Sequence, residues 1–383
     1  MNADKKPLFS FVIPCLNESL CLQSVLEDCH DSGELLKIPY EVIVADNGSS
    51  DGSQSIALEN GAKLINVSTR GYGAALKAGI DAAEGEFVIM GDADNTYNFK
   101  DAPLFLDQLY LGADLVMGNR FKGVIQPGAM PFLHRWLGNP VLSGIGSLFF
   151  GIPVGDFHCG LRAFKSSSIN LLGLKSDGME FASEMVIKAS LRNLKLVEVP
   201  TSLSLDHPDR TPHLRTWRDG WRHLKFIFSF SPKYSFLFFA CLLFLVSVVS
   251  LLSFAFNINP ASGPNTLIVS IFSLFSGLFV FSDYLTTRTM FSETYGKPSV
   301  FASWLRKYVF RGVNGVDTIY QVSAISFVVG LVIFVLSFAS FFNLNPSTRI
   351  ENIMTYLICF AWSASLTCYL TAAKISTIRS VRS

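Results

Sequence analysis

The feature that most limits how this chain can fold is the run YSFLFFACLLFLVSVVSLLSFAF, residues 234–256, which contains no charged side chain. As a helix rising ~1.5 Å per residue, such a run spans a hydrocarbon layer of ~30 Å. Three further apolar segments follow at about 265–285, 320–342 and 353–373. Only the second carries an acid, Asp283. A charge at a bilayer centre costs ~2.5–3.5 kcal/mol, so Asp283 is expected at the cytosolic end of its helix. Lys and Arg counts then set the orientation. The 257–265 connection has none, the 286–319 connection has Arg288, Lys297, Arg306, Lys307 and Arg311, the next has only Arg349, and the tail has Lys374, Arg379 and Arg382. Positive loops stay inside, which places residues before 234, the 286–319 loop and both termini in the cytoplasm.

The first half is different in kind. Charged residues make up 16% of the 383-residue chain, against ~25% in soluble proteins, and the acids and glycines gather before residue 207. The net charge of +1 provides no broad positive field, so nucleic acid is excluded as a partner. Seven cysteines, an odd number without a C-x-x-C pair, suggest a reducing compartment. The opening MNADKKPLFS lacks the apolar core of a signal peptide, in keeping with a cytosolic first domain.

Within that half, strand-like runs alternate with helix-like ones: LFSFVIPCLNES, YEVIVADNGSSDGS, AKLINVS and GEFVIMGDAD are separated by amphipathic stretches. This alternation predicts βαβ units and a mostly parallel sheet. Ligands of such sheets collect outside the carboxyl ends of the strands, where Asn17, Asp46, Asp51, Arg70 and the D-x-D pair Asp92 and Asp94 fall. Asn17 is placed to cap the following helix. Two carboxylates one residue apart repel each other unless a cation lies between them, and a hard divalent ion suits oxygen donors. A solvated Asp-x-Asp-Asn turn is the plainer alternative. Past residue 113 the expectations are a strand in ADLVMGNRF, a helix around 134–150, a loop at GIPVGDFHCGLRAF (151–164) and a strand in LVEVPTSLSL. In residues 207–232, Trp217, Trp221, Leu224 and Phe228 recur at helical spacing between Arg215, Arg218, Arg222 and Lys225. That pattern suits a membrane interface.

The order VIPCLNE, VADNGSSDGS, RGYGAALKAG, GDADNTY, GNRF, LHRW and DFHCGLRAF resembles family 2 glycosyltransferases of GT-A type. Within them it is similar to the polyprenyl-phosphate branch: dolichyl-phosphate mannose synthases and bacterial dolichyl- or undecaprenyl-phosphate glucosyltransferases. The resemblance covers about residues 8–230. It implies a Rossmann-like GT-A domain over 1–206, an interfacial segment over 207–232 and a membrane domain with four helices over 233–383. It assigns Pro14, Leu16, Glu18 and Asp46 to the nucleotide, with Gly71, Gly73 and Lys77 near the phosphates. Asp92 and Asp94 become the pair that bridges Mg2+ or Mn2+ to the diphosphate. Arg120 and Arg135 match the arginines that bind acceptor phosphate, with Arg162 and His158 as neighbours. Asp156 matches a third acid near the sugar, in a positioning role. Glu180 and Glu184, a helical turn apart, have structural or sugar-contacting roles.

The implied reaction is a metal-dependent, inverting transfer of a hexose from a nucleotide sugar to polyprenyl phosphate. UDP-glucose is favoured as donor over the GDP-mannose of a dolichyl-phosphate mannose synthase. A homo-oligomer is left open. A processive polysaccharide synthase is disfavoured because Phe132 stands where its Q-x-x-R-W motif needs Gln. A non-catalytic membrane scaffold or lipid-carrier flippase is the reading from another class.

Overall fold

The computed structural model describes residues 6–210, 216–256 and 264–295. The chain divides into two compact units, Met1–Ile227 and Phe228–Ser383.

The first unit is built on a seven-stranded sheet. Its strands are β1 (Phe9–Cys15), β2 (Tyr40–Asp46), β3 (Lys63–Asn66), β4 (Phe87–Met90), β5 (Leu115–Asn119), β6 (Arg162–Lys165) and β7 (Leu196–Pro200). They lie in the order β3-β2-β1-β4-β6-β5-β7. The helices are α1 (Leu22–Leu36), α2 (Ser53–Glu59), α3 (Tyr72–Asp81), α4 (Ala102–Tyr110), α5 (Asn139–Phe150), α6 (Ser166–Asn170), α7 (Phe181–Leu191) and α8 (Thr216–Ser229).

β1, FSFVIPC, is buried along its whole length, as a central strand covered on both faces must be. α1 turns Leu22, Val25, Leu26 and Cys29 inward, the i, i+3, i+4, i+7 stripe of an amphipathic helix. Phe9, Phe11, Phe99 and Phe105 are wholly buried in the core beneath it. Each contributes about 2 kcal/mol by leaving water. β1 pairs in parallel with β2 and β4, and β2 with β3.

The mostly parallel α/β expectation holds, with one departure. The stretch 151–164, read as loop, ends in β6, which runs antiparallel to both β4 and β5. Since β6 reverses direction between them, β4 and β5 point the same way. The ends of β1, β2, β4 and β5 therefore share one edge.

A second correction concerns Asn17. α1 begins at Leu22, and its N-cap, Cys21, makes no side-chain cap bond. Asn17 instead has a left-handed backbone (φ 55°), and its Oδ1 accepts from Ser50 N at 2.8 Å. It joins two loops rather than capping a helix.

The second unit contains α9 (Phe238–Ala255), entered through a π-helical turn at Lys233–Leu237, and α10 (Pro264–Tyr295). Ser247 Oγ donates to Ser270 O and Ser270 Oγ to Ser247 O, both at 2.8 Å, so each hydroxyl in this apolar contact is satisfied. Among the described residues, Lys233–Ser253 is the helix long and apolar enough to cross a membrane. This agrees with the expected 234–256 segment. In the second expected segment, 265–285, the apolar stretch is shorter, Ile268–Phe281, and Asp283 lies just beyond it. The third and fourth segments, 320–342 and 353–373, lie outside the described residues.

Candidate active site

At the end of β2, Asp46 is almost fully enclosed. Its carboxylate accepts from Gly48 N at 3.0 Å, Ser49 N at 3.1 Å and Gln54 Nε2 at 2.7 Å. The chain thus pins it before any ligand arrives. Pro14 lies in β1 opposite Ala45, and Leu16 and Glu18 follow in the adjoining loop. Asn47 extends the same edge: its Oδ1 accepts from Gly71 N at 2.7 Å, and its Nδ2 donates to Val67 O and Thr69 O.

Gly71, Gly73 and Lys77 have a partner the sequence did not disclose. A Cβ on Gly71 would stand 2.0 Å from Asp177 O, and one on Gly73 would stand 2.3 Å from Ser176 O. Gly71 also needs a φ of +143°, which a side chain rarely tolerates. Lys77 Nζ donates to Asp177 Oδ1 at 2.6 Å and Lys175 O at 3.0 Å. All three contact the 175–178 segment. Glu184 supports that segment, accepting from Lys175 N and Ser176 N while pairing with Lys188 at 2.6 Å. Glu180 sits at the start of α7, where its Oε2 is enclosed without a hydrogen-bond partner.

Asp92 and Asp94 follow β4. Tyr72 donates its hydroxyl to Asp92 Oδ1 at 2.8 Å, and Gly160 packs so close to Oδ2 that a Cβ there would stand 2.4 Å away. Asp94 Oδ1 accepts from Thr96 N and Oγ1. Burial and then the Asp94 charge push the Asp92 carboxyl up to about 7. Two acids this close call for positive charge beside them. Arg210 supplies part of it. Its Nη1 is 3.4 Å from Asp94 Oδ2, and its Nε and Nη2 form a fork on Glu18 at 2.6 and 2.7 Å. Among the described residues no group of three His, Cys, Asp or Glu can hold a metal by itself. A Mg2+-like ion typically takes one or two carboxylates and completes its shell with substrate phosphate. The Asp92–Asp94 pair fits that use.

Beyond β6, the end of β5 carries a second cluster. Arg120 donates from Nε to Asp156 Oδ2 and from Nη2 to Asp156 Oδ1, both at 2.7 Å, with its own N–H also on Oδ2. Asp156 is fully buried and Arg120 nearly so. Glu198 on β7 fixes the two loops together. Its oxygens accept from Gly155 N, Asp156 N, Asn119 Nδ2 and Lys122 Nζ at 2.6 to 3.1 Å. Arg135 lies in a π-helical turn, His134–Gly138, with its guanidinium 5.7 Å from the Trp136 ring centre. Burial and then the Arg120 charge hold His134 below the usual imidazole range, so this turn lies within the field of Arg120.

Arg162 stands apart from the other two arginines. It is fully buried, and it donates to Cys159 O, Phe157 O and Ala182 O at 2.8 to 2.9 Å. It braces the 157–159 loop against α7 and presents no guanidinium edge to solvent. His158, in that loop, faces Ser183 and His223.

The sequence reading missed Tyr72, Gln54, Glu198 and Arg210. The last two had a faint signal, an acid and a base inside otherwise unremarkable segments. Their partners, however, lie far away in the chain.

Residues 10–172 match the family model for glycosyl transferase family 2. The dolichyl-phosphate hexose transferase of Haloferax volcanii is 31% identical over 191 residues, which cover 49% of this chain and 79% of that protein. The chain belongs to glycosyl transferase family 2. Another relative of this family 2 chain is the low-salt glycan biosynthesis hexosyltransferase Agl6 of the same organism. It is 38% identical over 237 residues, 61% of this chain and 56% of Agl6. The chain thus matches little more than half the length of Agl6. A crystal structure of glucosyl-3-phosphoglycerate synthase from Mycobacterium tuberculosis overlays with a TM-score of 0.47 and 20% identity, covering 59% of this chain and 80% of that one.

Proposed function

We propose that this family 2 protein transfers a hexose from a nucleotide sugar to a polyprenyl phosphate with inversion at the anomeric carbon. The observation that carries the reading is one sheet edge with two opposite electrostatic demands. After β4 lie two carboxylates one residue apart, Asp92 against Tyr72 and Asp94 beside Arg210. After β5 lies an arginine held in a buried fork. The first suits a cation-bearing diphosphate, and the second suits an anionic acceptor.

In this reading Asp46 and the loop at Pro14, Leu16 and Glu18 hold the nucleoside. Asp92 and Asp94 hold Mg2+ or Mn2+ with diphosphate oxygens. When bound, the ion neutralises charge on the departing nucleoside diphosphate. Arg120 and Arg135 hold the acceptor phosphate. A phosphate monoester has a second pKa near ~6, so at neutral pH the acceptor is mostly dianionic and needs no strong base. Asp156 is consistent with this: both its oxygens are committed to Arg120, which makes it a positioning residue and not a proton acceptor. Arg162 braces the loop instead of binding acceptor.

Two further features support a lipid acceptor. One is the relative named for dolichyl phosphate. The other is the apolar helix Lys233–Ser253. We place the catalytic domain over 1–206 and the interfacial segment over 207–232 at the cytoplasmic face, with four helices in the membrane domain. UDP-glucose is the favoured donor.

The test is a panel of UDP- and GDP-sugars offered to the purified full chain with farnesyl phosphate and Mn2+ or Mg2+, scored for prenyl-phosphate sugar. A hexosyl lipid formed from one donor supports the reading. Failure with every donor, under conditions where nucleotide binds, removes it and favours a non-catalytic head.

A further inference from the structure

α8 has two faces. Asp219, His223 and Ile227, spaced four apart, are 2%, 6% and 0% exposed. Trp217 and Trp221 on the other side are 80% and 66% exposed. The inward face ends in an arrangement that neither packing nor the proposed chemistry demands. His223 Nδ1 is 2.8 Å from Ser183 Oγ on α7, and the same hydroxyl is 3.4 Å from His158 Nε2. The two imidazoles meet edge to face with centroids 4.4 Å apart. His158 Nδ1 is enclosed without a hydrogen-bond partner. Ser183 is fully buried. The Ser183 hydroxyl and the direct ring contact together join α8 to the loop containing His158.

That loop begins at Asp156, two residues earlier, and Asp156 carries the fork that aims Arg120. Its other supports come from the body of the domain: Arg162 on Phe157 O and Cys159 O, Ser143 Oγ on Phe157 N, Tyr97 on Gly160 N and Glu198 on Asp156 N. The contact through Ser183 brings in the helix that bears the exposed tryptophans.

We propose that His223 is a positioning residue for the acceptor side: through Ser183 and His158 it sets the loop that holds Asp156, and so fixes the aim of Arg120. The proposal rests on the reading of Arg120 as an acceptor-phosphate ligand. Loss of the joint removes the side-chain anchor at the middle of the loop, and Arg120 meets the phosphate with a looser fork. The nucleotide side, at the ends of β1, β2 and β4, meets the loop at Gly160, which packs against Asp92 and is held there by Tyr97, and not at His158. A general loss of structure would instead weaken both sides together.

The experiment measures binding of farnesyl phosphate, and separately of UDP or GDP with Mn2+, to the full chain in detergent by titration calorimetry. The variants are Ser183→Ala, His223→Phe, His223→Asn and Arg120→Ala. Phe keeps the ring volume and drops the nitrogen; Asn restores a polar atom near the Nδ1 position. The expected result is a roughly tenfold weaker farnesyl phosphate Kd for Ser183→Ala and His223→Phe, recovery to within about twofold for His223→Asn, and unchanged nucleotide binding. Equal weakening of nucleotide and prenyl phosphate, or no change in either, overturns the positioning role. The parallel Arg120→Ala arm separates the two levels. If the unaltered chain binds no farnesyl phosphate, or Arg120→Ala binds it undiminished, the acceptor reading itself falls. If binding is lost in Arg120→Ala but kept in Ser183→Ala and His223→Phe, only the positioning role falls.

Discussion

Arg210 grips Glu18 through a two-pronged fork and holds Nη1 3.4 Å from Asp94 Oδ2, so one guanidinium joins the loop after β1 to the acidic pair after β4. Glu18 and Arg210 are 192 residues apart. Asp206 adds a third carboxylate at 2.7 Å.

The first prediction concerns that contact. Glu18 is buried, so replacing Arg210 takes the two-pronged fork from a carboxylate of low exposure. Arg210→Met should lower stability by a few kcal/mol, near the lower end of the ~3–5 kcal/mol seen for broken buried pairs, since Arg210 itself is partly exposed. It should also weaken nucleotide–Mn2+ binding. Thermal melting of the detergent-solubilised chain and calorimetry read the two effects. An unshifted melting temperature would contradict the structural half.

The acidic pair provides a second. If Asp92 and Asp94 hold the ion, Asp94→Asn should abolish transfer, a loss of at least about a hundredfold, and chelation by EDTA should do the same to the unaltered chain. Both samples should keep the native melting profile, because Asp94 Oδ1 is held by Thr96, whose bonds an amide oxygen can still accept. Turnover that survives EDTA would rule out the metal role.

At the end of β5, Arg120 and Asp156 form one unit. Asp156→Ala leaves a guanidinium enclosed without its counter-charge, and Arg120→Lys replaces a planar fork with a point charge that cannot span both oxygens. Each should cut kcat/KM for the prenyl acceptor by roughly tenfold or more. The double variant Arg120→Ala/Asp156→Ala should be little worse than Arg120→Ala alone, as expected of two residues acting through one contact. Fully additive losses would show that Asp156 acts independently.

His223 gives a pH signature. Burial lowers it to about 4, with Asp219 opposing the shift and Arg162 adding to it. Unfolded, it titrates near ~6.5. Below that pH the unfolded chain binds the proton while the fold excludes it, so stability is complete above ~6.5 and is lost as pH falls toward 4. Enclosed beside it, His158 is shifted in the same direction, by burial first. Between pH 7.5 and 5 the native chain should lose roughly 2 kcal/mol from His223, seen as a drop of several degrees in melting temperature. His223→Gln should lower the starting value and flatten the slope. An identical slope in that variant would assign the acid sensitivity elsewhere.

The strand–helix alternation and the sheet edge could be read from the sequence because they depend on local apolar period and on turn residues. Asp92, Asp94 and Arg120 follow strands that the pattern marks plainly. Arg162 shows where such reading ends. It is the arginine of the DFHCGLRAF motif, yet it opens a strand rather than closing a loop, and its guanidinium is taken up by main-chain carbonyls. The glycines at 71 and 73 were legible as special but not in their reason, which is a main-chain segment about a hundred residues downstream. Glu198 and Arg210 depend on contacts 42 to 192 residues away, and no local period encodes those. Asn17 looked like a cap because Asn is common there; its left-handed backbone instead came from the loop it joins to β2.

β6 lies between β4 and β5 and is bonded to both. Neighbouring strands in a sheet stand ~4.8 Å apart, so two such steps set a gap of ~10 Å between the exits of β4 and β5. Main-chain hydrogen bonding therefore acts as a ruler for the distance between the loop bearing Asp92 and the loop bearing Arg120. Residues in either loop can be exchanged without altering that span.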